Sequence, residues 1–196
     1  DDIVISAGAT TGTVSFTPTD DSIYDATSNE TATISINGVS GKTGVEENST
    51  PQAVTITITD NESAPTVTLA AASSSIDENS DSTITLTATV STATFQDVTV
   101  SIDGTGGTGT EGTDFGTVSD ITISAGSTTG TVTFDPTDDS VYEGNETAGI
   151  SVSGVSGGGA SESGTQAVTI TITDNESAPT VTLATSATSI AENAGS

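Results

Sequence analysis

Residues Gln52 to Ala70 read QAVTITITDNESAPTVTLA, and residues Gln166 to Ala184 read the same nineteen letters without a change. Within the second copy Val168, Ile170 and Ile172 alternate with Thr169, Thr171 and Thr173. A period of two puts apolar side chains on one face of a pleated strand and hydroxyls on the other. The same alternation runs through Ile84, Leu86, Ala88 and Val90, and through Val98, Val100 and Ile102. No stretch carries apolar residues at helical spacing, and Thr, Val and Ile dominate where order is expected. The sequence therefore predicts an all-β fold.

Gln52 and Gln166 are 114 residues apart, a spacing that matches one independent domain, so the chain reads as tandem modules. Asp2-Ile3-Val4-Ile5-Ser6-Ala7-Gly8 aligns with Asp120-Ile121-Thr122-Ile123-Ser124-Ala125-Gly126 at an offset of 118. The change of length falls at Asp25 to Ser28 and Gly41 to Pro51, which read as loops. Residues 1–63 are then the C-terminal part of a first module, 64–177 a complete module, and 178–196 the first-strand region of a third. The chain begins and ends inside modules and carries no signal peptide, as expected of a window from something longer.

Seven strands are predicted in the complete module: Thr66–Leu69 with an extension to Ile76, Ser82–Val90, Val98–Ile102, Asp120–Ile123, Thr129–Phe134, Ala148–Val152 and Ala167–Thr173. Asp103 to Gly112 and Gly154 to Gly164 read as glycine-rich turns. Seven short alternating strands in a module of this length predict an immunoglobulin-like two-sheet sandwich. Phe95, Phe115, Phe134 and Tyr142 are expected in the core or at its edge. Asp174 to Pro179 leave little slack before the next module, so successive sandwiches are expected to form an extended rod.

One Lys or Arg stands against 27 Asp and Glu, a formal charge of −26, and the lone basic residue is Lys42. Binding to nucleic acid or to an anionic membrane requires the positive side chains this segment lacks. No apolar run approaches the roughly 20 residues that span a bilayer. Cysteine is absent, so no disulfide staples the fold. With no His, Cys or Arg, acyl and phosphoryl transfer lack their usual groups, and no enzyme activity is expected. The missing positive charge must come from solvent cations.

The acidic residues gather at turns: Asp77 and Glu78, Glu111 and Asp114, Asp138 and Asp139, Glu143 and Glu146, Asp174 and Glu176. Strand parity brings the stretch before the second strand, the turn before the fourth, the turn after the fifth and the tail of the seventh to one end of a sandwich. Unit charges about 4 Å apart repel by roughly 1 to 4 kcal/mol at effective dielectrics of 80 to 20. A hard divalent cation relieves that repulsion, and flexible sites of oxygen ligands favour calcium over magnesium.

The stretch Glu111-Gly112-Thr113-Asp114-Phe115, then Ile121 to Gly126, then Asp138-Asp139-Ser140-Val141-Tyr142-Glu143-Gly144-Asn145-Glu146, ending in Val168 to Glu176, resembles a Calx-beta domain. Such domains are calcium-binding sandwiches of sodium/calcium exchangers, found also in tandem arrays of bacterial surface proteins. The resemblance implies calcium as cofactor. It further implies ligands at Glu78, Asp114, Asp138, Asp139, Glu143 and Glu146, and at Asp174, Asn175 and Glu176, where strong calcium binders of the family carry three aspartates. Asn175 lowers the charge of the site. In the first module Asp20, Asp21, Glu30, Asp60, Asn61 and Glu62 fill the same places, in an incomplete site because the early strands are missing. Glu192 opens a third.

The favoured function is a structural calcium-binding repeat of a secreted or cell-surface, adhesin-like protein, with calcium stiffening the joints between modules. Its partners are calcium ions, neighbouring modules and like chains in a fibre. Two alternatives are a calcium-sensing domain pair and a filament subunit completed by strand exchange. A sensor calls for differentiated copies, whereas here the joint is duplicated letter for letter. Threonine rows such as Thr169-Ile170-Thr171 are ordinary on exposed strands and do not single out an ice-binding face. The triplets Asn29-Glu30-Thr31, Asn145-Glu146-Thr147 and Asn175-Glu176-Ser177 fit the glycosylation pattern but coincide with the expected ligands.

Overall fold

The computed structural model describes residues 2–25, 30–48, 50, 52–189 and 191–192. The described strands are β1 (Ile23–Tyr24), β2 (Glu30–Ser35), β3 (Ala53–Ile58), β4 (Thr66–Ala71), β5 (Ser75–Asp77), β6 (Ile84–Val90), β7 (Ala93–Thr94), β8 (Val98–Gly107), β9 (Ile121–Ile123), β10 (Thr129–Phe134), β11 (Glu146–Ser156), β12 (Ser161–Glu162) and β13 (Ala167–Thr173). The fold is all-β.

Two sheets form a sandwich in the complete module, one ordered β10-β6-β4-β12 and the other β5-β13-β11-β8-β9. The period-two pattern explains their contact. Val67, Leu86, Ala88 and Phe134 from the first sheet are buried with Val98, Val100, Ile121, Ile150 and Ile170 from the second in one apolar core. Each such Val, Leu, Ile or Phe contributes about 1.5–3 kcal/mol on full burial, and these side chains hold together a fold without disulfides. The buried Phe115 and Phe134 rings meet within this core, centroids 5.0 Å apart and tilted by 33°.

Several expectations are corrected. The first predicted strand does not run on to Ile76: β4 ends at Ala71, and the chain crosses to the other sheet, where β5 pairs in parallel with β13. Ser73 Oγ caps that crossing by donating to Ser75 C=O at 2.9 Å. The turn predicted from Asp103 is strand as far as Gly107, because Gly106 and Gly149 bring β8 and β11 together backbone to backbone. A Cβ on Gly149 would lie 2.8 Å from the Gly106 carbonyl carbon, so glycine there marks a close approach within the ladder. Likewise β11 runs to Ser156, with register shifts between Gly149 and Ser151 and between Val152 and Gly154. Strands two and four begin at Ile84 and Ile121, inside the predicted starts at Ser82 and Asp120. Phe95 and Tyr142 lie outside the core, 55% and 46% exposed.

In residues 1–63 β2 and β3 pair antiparallel from Glu30↔Ile58 to Ser35↔Ala53, the register by which β11 and β13 pair from Glu146↔Ile172 to Ser151↔Ala167. The two ladders differ in cover: Ile150 is buried completely, whereas its counterpart Ile34 is 40% exposed. Residues 1–63 meet the sandwich through β1, which pairs in parallel with β7 as Ile23↔Ala93 and Tyr24↔Thr94. After Ser177 the duplicated stretch Thr180–Leu183 forms no strand among the described residues. Its Val181 and Leu183 are 97% and 101% exposed.

Candidate functional site

Four loop regions bring carboxylates to one end of the complete sandwich. β5 leads directly into Glu78, whose backbone N–H donates to Thr173 C=O at 2.9 Å, so the parallel pairing of β5 with β13 sets Glu78 beside the tail that carries Asp174 and Glu176. Asp114 stands in the turn closed by Asp114 N–H to Thr110 C=O, and its own Oδ2 accepts the Thr110 N–H at 2.6 Å. Glu143 lies on the segment that joins β10 to β11, and Glu146 is the first residue of β11.

The loops are tied to one another through these side chains. Glu78 Oε1 accepts the Asp139 N–H at 3.0 Å. Asp174 Oδ2 accepts the N–H of Glu143 at 2.8 Å and also that of Gly144, while its Oδ1 accepts the Glu176 N–H at 2.7 Å. Two triplets result, Glu78 with Asp174 and Glu176, and Asp114 with Glu143 and Glu146, each offering oxygens within 4.8 Å of one another. Gly144 and Ile172 complete the lining of a small cavity between Glu78, Asp114, Glu143 and Glu146.

No lysine or arginine enters this cluster, and its electrostatics show the deficit. Burial, then the charge of Asp114, raises the Glu146 carboxyl above its ordinary range, and Asp114, Glu143 and Glu78 all bear on it. Burial followed by Asp114, Asp139, Glu78 and Asp174 raises Glu143. Glu176 is raised by burial, a shared hydrogen bond with Asp174, and the charges of Glu78, Asp174 and Asp138. Burial also pushes Asp174 upward, but the N–H donors of Glu176, Gly144 and Glu143 outweigh it, and the net displacement is downward. Glu176 Oε2 is buried and has no hydrogen-bond partner among the described residues.

A calcium ion holds oxygens at 2.3–2.6 Å, so two ligands of one ion stand no more than about 5 Å apart. Both triplets satisfy this limit. An orphaned buried oxygen costs about 1–3 kcal/mol unless something outside the protein satisfies it. A hard cation does so, and the donor set contains only oxygens, as calcium prefers.

The other predicted residues are placed differently. Asp138, Asp139 and Asn175 are exposed and belong to neither triplet, although the charges of Asp138 and Asp139 reach Glu176 and Glu143. In the first module Asp20, Asp21, Glu30, Asp60, Asn61 and Glu62 line a cleft of about 150 Å³ together with Asp25, Ile23 and Phe95. Asn61 Nδ2 donates to Asp20 Oδ1 at 3.2 Å. Among the described residues no three carboxylates converge there as the two triplets do. Glu192 is exposed on a stretch without a strand. Asp25 and Phe95 escaped sequence reasoning as cleft residues. The offset that aligns Asp20 with Asp138 also aligns Asp25 with Glu143, and was the available signal for the first.

The Calx-beta domain family model matches residues 60–176, which takes in both triplets and more than half of the chain. The chain belongs to the Calx-beta family. No curated protein sequence matches it. Among solved structures, this Calx-beta chain is similar to the apo-form Calx CBD1 domain at 19% identity and a TM-score of 0.47, covering 57% of this chain and 99% of that one. It is similar also to CBD12 from CALX1.2 at 22% identity and a TM-score of 0.45, covering 51% of this chain and 41% of that one.

Proposed function

We propose that this chain is a calcium-binding structural repeat from an array of Calx-beta modules in a long secreted or cell-surface, adhesin-like protein, in which calcium stiffens the joints. The observation that carries the reading is the pair of carboxylate triplets at one end of the sandwich, one of which includes Glu176, whose Oε2 is buried without a hydrogen-bond partner among the described residues. Glu78, Asp174 and Glu176 would hold one ion, and Asp114, Glu143 and Glu146 a second. A bound cation supplies the positive charge that this end lacks and relieves the mutual repulsion of its loops.

The position of the triplets gives the ion a mechanical role. Asp174 and Glu176 begin the linker to the following copy, and Asp174 ties that linker to the β10–β11 connection through the N–H groups of Glu143 and Gly144. An ion on these carboxylates restrains the linker where it leaves the sandwich. The identical block from Gln52 to Ala70 repeats the same tail, linker and first strand at the preceding joint. A duplicated joint serves an array, whereas a sensing pair calls for joints that differ.

Calcium titration tests the reading. With a dissociation constant of about 0.1 mM, about 2 mM calcium adds roughly 1.8 kcal/mol per site. Melting temperature and extension in solution scattering should both rise with calcium and fall with chelator, magnesium substituting poorly. Identical melting and scattering curves in calcium and in excess chelator would remove the proposal.

A further inference from the structure

We propose that Val141–Tyr142 is a docking edge, built to pair in parallel with the Ala93-Thr94-Phe95 segment of a complete module that follows it in the polypeptide. The basis is the joint already present in the structure. There β1 pairs with β7, and the Phe95 N–H donates to Tyr24 C=O at 3.3 Å, so the first module is fastened to the second by a short parallel ladder. Ile23 and Tyr24 are half-buried in that contact.

Val141 and Tyr142 are the same two positions one module later. The surrounding sequences, Pro18-Thr19-Asp20-Asp21-Ser22-Ile23-Tyr24 and Pro136-Thr137-Asp138-Asp139-Ser140-Val141-Tyr142, differ only by Ile for Val. The backbone also folds in the same way. Asp21 Oδ1 accepts the Ile23 N–H at 2.8 Å, and Asp139 Oδ1 accepts the Val141 N–H at 2.6 Å. Just beyond, Asp60 Oδ2 accepts the Asp25 N–H at 2.9 Å where Asp174 Oδ2 accepts the Glu143 N–H at 2.8 Å. Both segments are therefore held by the same pair of side-chain hydrogen bonds, the second of them from the aspartate that follows β3 in one case and β13 in the other.

What differs is the partner. No described strand pairs with Val141–Tyr142, and these two apolar side chains stand 57% and 46% exposed at an otherwise acidic end. Exposed β-branched and aromatic residues beside a ladder-ready backbone fit a strand-pairing edge better than a solvated loop. The occupant follows from the first joint: Ala93-Thr94-Phe95 lies between the second and third core strands of a module, and it receives the edge of the module before it. This inference rests on the tandem-array reading, and its test separates the two.

The chain has no cysteine, so introduced pairs report alone. Adjacent strands lie about 4.7–4.9 Å apart, within the Cα separation that a disulfide spans. In the whole chain, Ile23→Cys with Ala93→Cys should cross-link on mild oxidation, which checks the existing joint. In a chain whose stretch from Ala178 is completed to a full module with the sequence of residues 64–177, Val141→Cys with Ala93→Cys in the added copy should lose both thiols within one chain, as the first pair does. Cross-linking of the first pair but not the second, or only between separate chains, would overturn the docking edge while leaving the array intact. Failure of both pairs would overturn the joint itself. Solution scattering of the cysteine-free extended chain gives a second readout: replacing Ser140-Val141-Tyr142 by glycines should broaden its distance distribution, and an unchanged distribution would also overturn the edge.

Discussion

Asp174 Oδ2 accepts the Glu143 N–H at 2.8 Å, so a carboxylate just after β13 fixes the loop that carries one member of the other triplet, Glu143, and leads into a second, Glu146. One side chain thus serves two purposes: it offers charge to an ion and it positions a neighbouring loop. Asp174→Asn keeps an oxygen acceptor for that N–H and removes the charge. Calcium affinity measured by titration calorimetry should fall at least tenfold, about 1.4 kcal/mol. Asp174→Ala should also loosen residues 143–144. Asp120→Asn is the control, since Asp120 accepts hydrogen bonds from Ser101 and Ile102 and belongs to neither triplet. Equal calcium affinity in Asp174→Asn and the control would place the ion elsewhere.

The raised carboxyls of Glu143, Glu146 and Glu176 set the sign of a pH effect in metal-free solution. A carboxyl whose pKa is higher in the folded chain than the ordinary 4.5 stabilises the fold when protonated, an effect complete below 4.5 and lost as pH rises through the folded value. Asp174, displaced downward, acts oppositely, but its contribution is lost only below its ordinary 3.8. As pH falls through the raised values toward the ordinary 4.5, the metal-free chain should therefore melt at progressively higher temperature. With calcium present protons compete with the ion, and the trend should reverse. Calorimetric melts in metal-depleted and calcium buffers check this, and a metal-free melting temperature that falls on the same acidification would contradict the electrostatic account.

Alternation of Val, Ile and Leu with Thr made the core strands legible, because burial on one face of a sheet leaves a period of two in the residues themselves. The convergence of Glu78, Asp114, Glu143 and Asp174 followed from strand parity and from the family resemblance. What could not be read depended on partners distant in sequence. Val67 and Val181 occupy the same place in identical blocks, yet Val67 is fully buried and Val181 is 97% exposed. β4 lies between β6 and β12, whereas Thr180–Leu183 form no strand among the described residues. The sheet switch between β4 and β5 and the pairing of β1 with β7 are likewise long-range choices, with no local pattern to announce them. The orphaned Glu176 Oε2 is a fact of packing and lies beyond any motif.

Gly149 supplies the last prediction, because the chain contains its own experiment at that position. Glu30-Thr31-Ala32-Thr33-Ile34-Ser35 and Glu146-Thr147-Ala148-Gly149-Ile150-Ser151 pair with their β3 and β13 partners in one register, and the sequences differ at Thr33 against Gly149 and nowhere else. Thr33 is tolerated on an exposed strand, with its Oγ1 3.4 Å from that of Thr55. Gly149 instead faces Gly106 across the β8–β11 ladder, where a Cβ would meet the Gly106 carbonyl carbon at 2.8 Å and its Cα at 3.0 Å. Those atoms are backbone and cannot swing aside as a flexible side chain would. Gly149→Thr, which only copies the first module, should cost about 1–3 kcal/mol through overpacking. At roughly 4–8 °C per kcal/mol for a domain near this size, the complete module should melt many degrees lower. Thr33→Gly should by contrast move the melting temperature little. If both substitutions shifted it equally, the close approach of β8 and β11 would not be the reason for glycine at 149.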